Sequence, residues 1–353
     1  MQDLAAVARA LVAPGKGILA ADESSSTIKR RFEAIGVEST EQTRRDYREL
    51  LFRTPGAAEY ISGVILYDET IRQKAAAGTP LVKVLRDQGI IPGIKVDIGT
   101  KPLAGAPGEV VTEGLDGLRE RLAEYRELGA AFSKWRAVIT IGDGIPSACC
   151  IDVNAHALAR YAALSQEAGI VPIVEPEVLM DGSHSIERCY EVTLATLREV
   201  FRQLAAQRVQ LDGMLLKPNM VLSGKDATGR ASPEEVARAT VRCFREAIPA
   251  AVPGIVFLSG GQSDEEATVN LTAARFGRAS LGMLYGWIWF SHMIGAALAA
   301  YAGGFFRVLL GDYHLMFVSA GIMGFVAVSL ALRVSPSRGR VDPTAVAQAP
   351  APA

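Results

Sequence analysis

Cysteine and histidine are both scarce in this 353-residue chain, four of each, and neither sign of charge predominates, with 37 Lys and Arg against 38 Asp and Glu. The cysteines, Cys149, Cys150, Cys189 and Cys243, form no CxxC pair, which argues against a disulfide scaffold or a zinc ribbon and points to a reducing compartment. No secretory leader is recognisable ahead of the first helix-like segment, in keeping with that compartment. A net charge of −1 offers no basic excess for phosphate backbones, so nucleic acid is not an expected partner. Residues 1–278 hold only His156 and His184, too few for a histidine-ligated catalytic zinc. No metal and no other cofactor is expected.

Charge also thins out along the chain. Residues 279–353 carry only Arg307, Asp312, Arg333, Arg338, Arg340 and Asp342. Leu281 to Phe306 is a run of 26 residues without a charge, and Leu315 to Leu332 a second run of 18. A helix needs roughly 20 apolar residues to cross a bilayer, and a buried helical pair of a soluble domain would be expected to show a charged face. A transmembrane α-helical hairpin is therefore expected over residues 275–334, in the membrane through 280–332. Arg275, Arg278, Arg333, Arg338 and Arg340 flank it, which puts both ends, and the preceding residues, on the cytoplasmic side. The Arg-rich entry, the spacing of Gly282, Gly286, Gly295 and Ala299, and the short loop resemble the last two helices of a major-facilitator-type transporter. The Pro-, Ala- and Ser-rich residues 335–353 are expected to be disordered.

The charged part repeats strand and helix. Apolar runs at Gly17–Ala20, Ile61–Tyr67, Ile91–Val96, Ala131–Ile141, Ile170–Val174, Leu211–Leu216 and Ile255–Leu258 alternate with amphipathic stretches, which implies a parallel sheet with right-handed crossovers. An open doubly wound sheet and an eight-stranded barrel both satisfy this. The polar residues separate them. Asp22, Lys95, Lys134 with Arg136, Glu175, Lys217 and Ser259 each sit in or just after a strand-like run. Ionisable groups at nearly every strand end require one enclosed, shared mouth, which a barrel supplies and an open sheet does not. The fold class expected is thus α/β, a (β/α)8-type TIM barrel over residues 1–274, with seven strands and the eighth lacking.

Those residues also suggest a chemistry. Lys217, in Met214-Leu215-Leu216-Lys217-Pro218-Asn219-Met220, lies among apolar neighbours with Lys95, Lys134 and Arg136 expected across the barrel. That setting would push an amine towards its neutral, nucleophilic form. Glu175 and Glu177 offer carboxylates for proton transfer, and Asp22 another from the opposite wall. Ser259-Gly260-Gly261, ahead of a capped helix start at Ser263, suits a phosphate group. Singly, each has a plainer explanation: an internal ion pair for Lys217, a turn for Ser-Gly-Gly, a helix cap for Asp22-Glu23-Ser24. Together they suggest Schiff-base chemistry on a phosphorylated carbonyl compound. Trp135, Cys149 and Cys150 are expected to be core residues.

Over residues 3–274 the chain resembles the class I fructose-bisphosphate aldolases. The resemblance rests on Leu19-Ala20-Ala21-Asp22-Glu23-Ser24, Gly93-Ile94-Lys95-Val96-Asp97, Lys134-Trp135-Arg136, Val171 to Glu177, Leu215 to Met220 and Phe257 to Ala267. It implies a barrel, usually oligomeric, that cleaves fructose 1,6-bisphosphate without a cofactor. By resemblance, Lys217 is the Schiff-base lysine, Glu175 the general acid/base supported by Glu177, Asp22 the group for the C4 hydroxyl proton, and Lys134 a stabiliser of charge. Ser259, Gly260 and Gly261 would bind the C1 phosphate; Ser24, Thr27, Arg31 and Lys95 would surround the C6 phosphate, and Arg136 would also serve phosphate binding. A homo-oligomer follows if the barrel closes. After Ala274 the pattern departs, since the eighth strand and Tyr-Gly-Arg motif of the family give way to the uncharged runs.

Overall fold

Alternation along the strands decides the architecture. A computed structural model describes residues 3–256, all within one compact unit spanning residues 1–262. The strands are β1 Gly17–Ala21, β2 Ile61–Leu66, β3 Ile91–Lys95, β4 Thr100–Pro102, β5 Val110–Thr112, β6 Phe132–Ile139, β7 Val171–Val178 and β8 Leu215–Leu216. Six of them form one parallel sheet in the order β1-β2-β3-β6-β7-β8, continued by a parallel bridge from Leu216 to Ile255. Helices follow the strands and cover one face of the sheet. Because successive strand side chains point to opposite faces, each strand contributes to two separate cores. Val64, Leu66, Ile94, Trp135, Ala137, Val174, Val178 and Leu216 pack outward against the helices. Ile18, Ile65, Ile91, Phe132, Val171, Ile173, Leu215 and Val256 pack inward with one another. The sheet is therefore curled around its own apolar interior, the arrangement of a barrel-like α/β fold.

The helix Leu4–Leu11, capped by Asp3 through the N–H groups of Ala5 and Ala6, closes the bottom of this curl. Ala8 and Leu11 belong to the inward cluster. Ser62 at the start of β2 donates a hydrogen bond to the Leu11 carbonyl at 2.6 Å. On the other side, Val12 lies so close to Gly254 that a Cβ there would come within 2.5 Å of its Cγ1. Phe132 fills the centre. A Cβ on Gly93 would sit 2.4 Å from its ring, so only glycine leaves room for the aromatic side chain at that point of β3.

Several expectations need correction. The run Leu211–Leu216 is not one strand: Leu211–Gly213 is a 3₁₀ turn, and only Leu215–Leu216 pairs. The antiparallel hairpin of β4 and β5 was not expected; it sits in the connection between β3 and β6. Of the seventh run, only the bridge at Ile255 and the adjoining Val256 are described. Leu118, Leu122 and Tyr125 form the buried face of the helix Leu118–Leu128 as their spacing indicates, whereas Leu115 precedes it. Ser232 caps the helix Pro233–Ala247 in a full capping box with Glu235. Trp135 and Cys150 are core residues, but Cys149 is exposed. Among the described residues no helix is long and apolar enough to cross a membrane. The hairpin expected through residues 280–332, the tail 335–353 and the Ser259-Gly260-Gly261 segment lie outside the described residues.

Candidate active site

The same alternation that builds the floor raises a ring of charge above it. On the inward face, Ile173 is followed two residues later by Glu175 and then Glu177, Phe132 by Lys134 and Arg136, Leu215 by Lys217, and Gly93 by Lys95. Ile18 on β1 leads by the same period to Ala20 and Asp22. Apolar below and ionisable above, each of these five strands carries its charged group to its C-terminal end, the face on which barrel sites are built.

These groups are paired with one another. Lys217 Nζ donates to Glu175 Oε1. Glu175 Oε2, buried and without a hydrogen-bond donor, faces Lys134 Nζ at 3.6 Å. Lys134 in turn contacts Asp22 Oδ2 at 2.7 Å. The result is a chain of alternating charge, Lys217–Glu175–Lys134–Asp22, that reaches from β8 across the concave face to β1. Burial works against the Lys134 ammonium, but Glu175, Asp22 and Asp97 outweigh it and hold its pKa above the ordinary lysine value. Lys134 therefore stays cationic between its two carboxylates.

Lys95 and Arg136, expected to crowd Lys217 with positive charge, are instead occupied by acids. Lys95 Nζ binds Asp97 Oδ1 at 2.6 Å, and Arg136 Nε donates to Glu177. The expected crowding of Lys217 by those cations is thus not found; its contact is with the carboxylate of Glu175. Asp97 was overlooked as a site residue. Its position two residues beyond Lys95, on the same inward face, is the signal that would have found it; besides Lys95 it accepts from the Arg136 N–H at 3.3 Å.

A cavity of about 580 Å³ opens beside Lys217, lined by Arg136, Glu175, Glu177, Asp181, Asn219 and Lys225 among others. Lys134, Asp22 and Lys95 are not in its lining. Of the phosphate candidates, Ser24 stands at the N-terminus of the helix Ser25–Glu33 but does not cap it; its hydroxyl lies 3.1 Å from those of Ser26 and Thr27. Arg31 projects from the same helix, largely exposed, and donates to Glu23, which Arg48 also holds. Among the described residues no group of three or more His, Cys, Asp or Glu could hold a metal ion.

Comparison with known proteins gives this site its relatives. The family model for fructose-bisphosphate aldolase class I matches residues 3–285. The chain belongs to the class I fructose-bisphosphate aldolases. It is 63% identical over 271 residues to a probable class 1 fructose-bisphosphate aldolase of Xanthomonas campestris, covering 77% of this chain and 81% of that one. It is 56% identical over 271 residues to fructose-bisphosphate aldolase 4, cytosolic, of Arabidopsis thaliana, covering 77% and 69%. Among solved structures, the fructose-bisphosphate aldolase of Plasmodium falciparum in complex with TRAP and a small-molecule inhibitor matches with a TM-score of 0.75 and 51% identity, over 76% of this chain and 78% of that one. The family match runs past residue 274 and takes in Phe276-Gly277-Arg278-Ala279.

Proposed function

We propose that this aldolase cleaves fructose 1,6-bisphosphate reversibly into dihydroxyacetone phosphate and glyceraldehyde 3-phosphate, with Lys217 as its nucleophile. The observation that carries the proposal is the contact of Lys217 Nζ with Glu175 Oε1, beside a cavity large enough for a sugar phosphate. A protonated Lys217 hands its proton to Glu175 and attacks the C2 carbonyl. The carbinolamine loses water, with Glu175 supplying the proton to the departing hydroxyl, and leaves an iminium. That cation accepts the electron pair of the C3–C4 bond as it breaks, while the C4 hydroxyl proton passes to Asp22 and the aldehyde departs. Protonation of the resulting enamine at C3 and hydrolysis of the iminium restore the amine. Lys134, fixed between Glu175 and Asp22, stabilises negative charge on both sides of the cleaved bond. Glu177 keeps Arg136 oriented at the cavity wall.

For the phosphates, Ser24, Thr27, Arg31, Lys95 and Arg136 are assigned by resemblance, and Ser259, Gly260 and Gly261 to the C1 phosphate on the same ground. A cytoplasmic site of action accords with the cytosolic relative in Arabidopsis thaliana. The division into a barrel that ends after its seventh strand, residues 1–274, a membrane hairpin at 275–334 and a tail at 335–353 rests on the sequence, as does a homo-oligomer. Recovery of the full chain from lysate without detergent would contradict the hairpin.

Borohydride reduction of the full chain with dihydroxyacetone phosphate tests the chemistry. A reduced adduct on Lys217, absent from Lys217→Ala, is expected. No adduct on the wild-type chain would reject the catalytic reading.

A further inference from the structure

Two prolines interrupt the sheet at its catalytic end. β8 pairs with β7 at Ile173↔Leu215 and Val174↔Leu216, and the last main-chain bond between them is Lys217 N–H to the Val174 carbonyl at 2.8 Å. In a parallel ladder the next donor would be residue 176, aimed at the carbonyl of Lys217. It is Pro176 and has no N–H. On the other side of β8, Leu216 donates to the Gly254 carbonyl at 3.2 Å and Val256 donates to the Leu216 carbonyl at 2.9 Å. There the next donor would be Pro218, equally without an N–H. Among the described residues, main-chain pairing between β7 and β8 thus stops at Lys217, the point at which the position of that side chain relative to Glu175 matters most.

A side chain takes over. Asn219 Oδ1 accepts from the Val178 N–H at 3.1 Å, which ties the loop after β8 to the end of β7 beyond Pro176. Its Nδ2 donates to the Met220 carbonyl and to Thr193 Oγ1, each at 3.0 Å. Both amide hydrogens and one acceptor position are therefore committed to protein. Thr193 is 1% exposed, on the helix Ile186–Ala206. From the same helix, Cys189 Sγ accepts from the Leu222 N–H at 3.4 Å, and Thr240 of the helix Pro233–Ala247 accepts from the Val221 N–H at 2.9 Å. The loop is fastened to two helices, and among the described residues Asn219 alone joins it back to β7.

We propose that Asn219 is a positioning residue for the lysine chemistry: its amide replaces, on the β7 side, the strand pairing that Pro176 forbids, and so fixes the separation of Lys217 from Glu175. The inference rests on Lys217 being the nucleophile. Its reach comes from geometry, since a displacement of about 1 Å in a reacting group can cost on the order of 10²-fold in rate.

The full chain carrying Asn219→Ala is expected to lose about ten- to a hundredfold in kcat, with KM changed far less, because Asn219, although it lines the cavity, has both amide hydrogens committed to protein. Adduct formation on Lys217 under borohydride should slow in parallel, and the Val178 amide should exchange its hydrogen faster. Thr193→Val, which removes one hydroxyl at nearly constant shape, should lower kcat about threefold and add little to Asn219→Ala, as coupled neighbours do. An unchanged kcat per trapped site in Asn219→Ala would overturn the proposal, and so would an effect confined to KM. Should Asn219→Ala not fold, an unchanged kcat in Thr193→Val is the overturning result. If the wild-type chain forms no adduct at all, the catalytic reading fails instead. Exchange at Val178 then decides the clamp by itself: unaltered exchange in Asn219→Ala would overturn it.

Discussion

The floor and the mouth of the curled sheet are made by the same strands, two residues apart, and they obey opposite rules. At the floor, Phe132, Ile173 and Leu215 meet under the helix Leu4–Leu11, and nothing polar is needed. At the mouth, Lys134, Glu175 and Lys217 occupy the next inward positions and are held by charge. Burying apolar groups stabilises a fold directly. Burying an ion pair does so weakly at best, because desolvation offsets most of the attraction. The difference teaches that stability and chemistry are stacked along the axis of the sheet: the floor sets where the strands stand, and the mouth uses that fixed spacing.

Substitutions can break the comparison from either side. The largest effect belongs to the mouth. Lys217→Met should reduce cleavage by on the order of 10⁴-fold or more, while circular dichroism and a cooperative unfolding transition show a folded chain; retained turnover would remove the nucleophile assigned above. Next comes the floor. Phe132→Ala should cost about 3–5 kcal/mol in urea denaturation, with kcat of the molecules that remain folded changed far less than in Lys217→Met. If instead the two variants lose activity and stability alike, floor and mouth are not separable.

The narrowest effect, confined to alkaline pH, comes from a group outside both layers. Cys243, fully buried among the outer helices, has its thiol pushed up to about 12, by burial first and then by Cys189 and Glu246. An unfolded thiol ionises near 8.5, so between those values the folded state holds a proton that the unfolded state has lost. Its contribution is complete below pH 8.5 and is lost as pH rises towards 12. The stability of the chain should fall by about 1.4 kcal/mol per pH unit for this thiol. Cys243→Ala should show a shallower fall, measured as the urea midpoint between pH 8.5 and 11; an identical slope would count against the burial of this thiol as its cause.

Much of this site was legible because the strand period is short and strict. Lys217, Glu175, Lys134 and Asp22 all stand out as charges terminating apolar runs, and the same period carries Asp97 to the face of Lys95. What the sequence concealed is partnership. Nothing in the local pattern says that Lys134 contacts Asp22 more closely than Glu175, or that Arg136 spends its charge on Glu177, because those pairs join residues from separate strands. The β4–β5 hairpin was illegible for another reason. Thr100-Lys101-Pro102 and Val110-Val111-Thr112 are too short to show a period, and a proline argues against a strand. Leu211–Gly213 misled in the opposite direction, since an apolar run before a true strand looks like part of it.

The helix Leu4–Leu11 has a consequence for traffic. By stopping the lower end with Ala8 and Leu11 against Phe132, it turns the interior into a blind alley. Among the described residues, whatever enters beside Lys217 therefore finds no way out past Phe132, and traffic is turned back towards the strand ends.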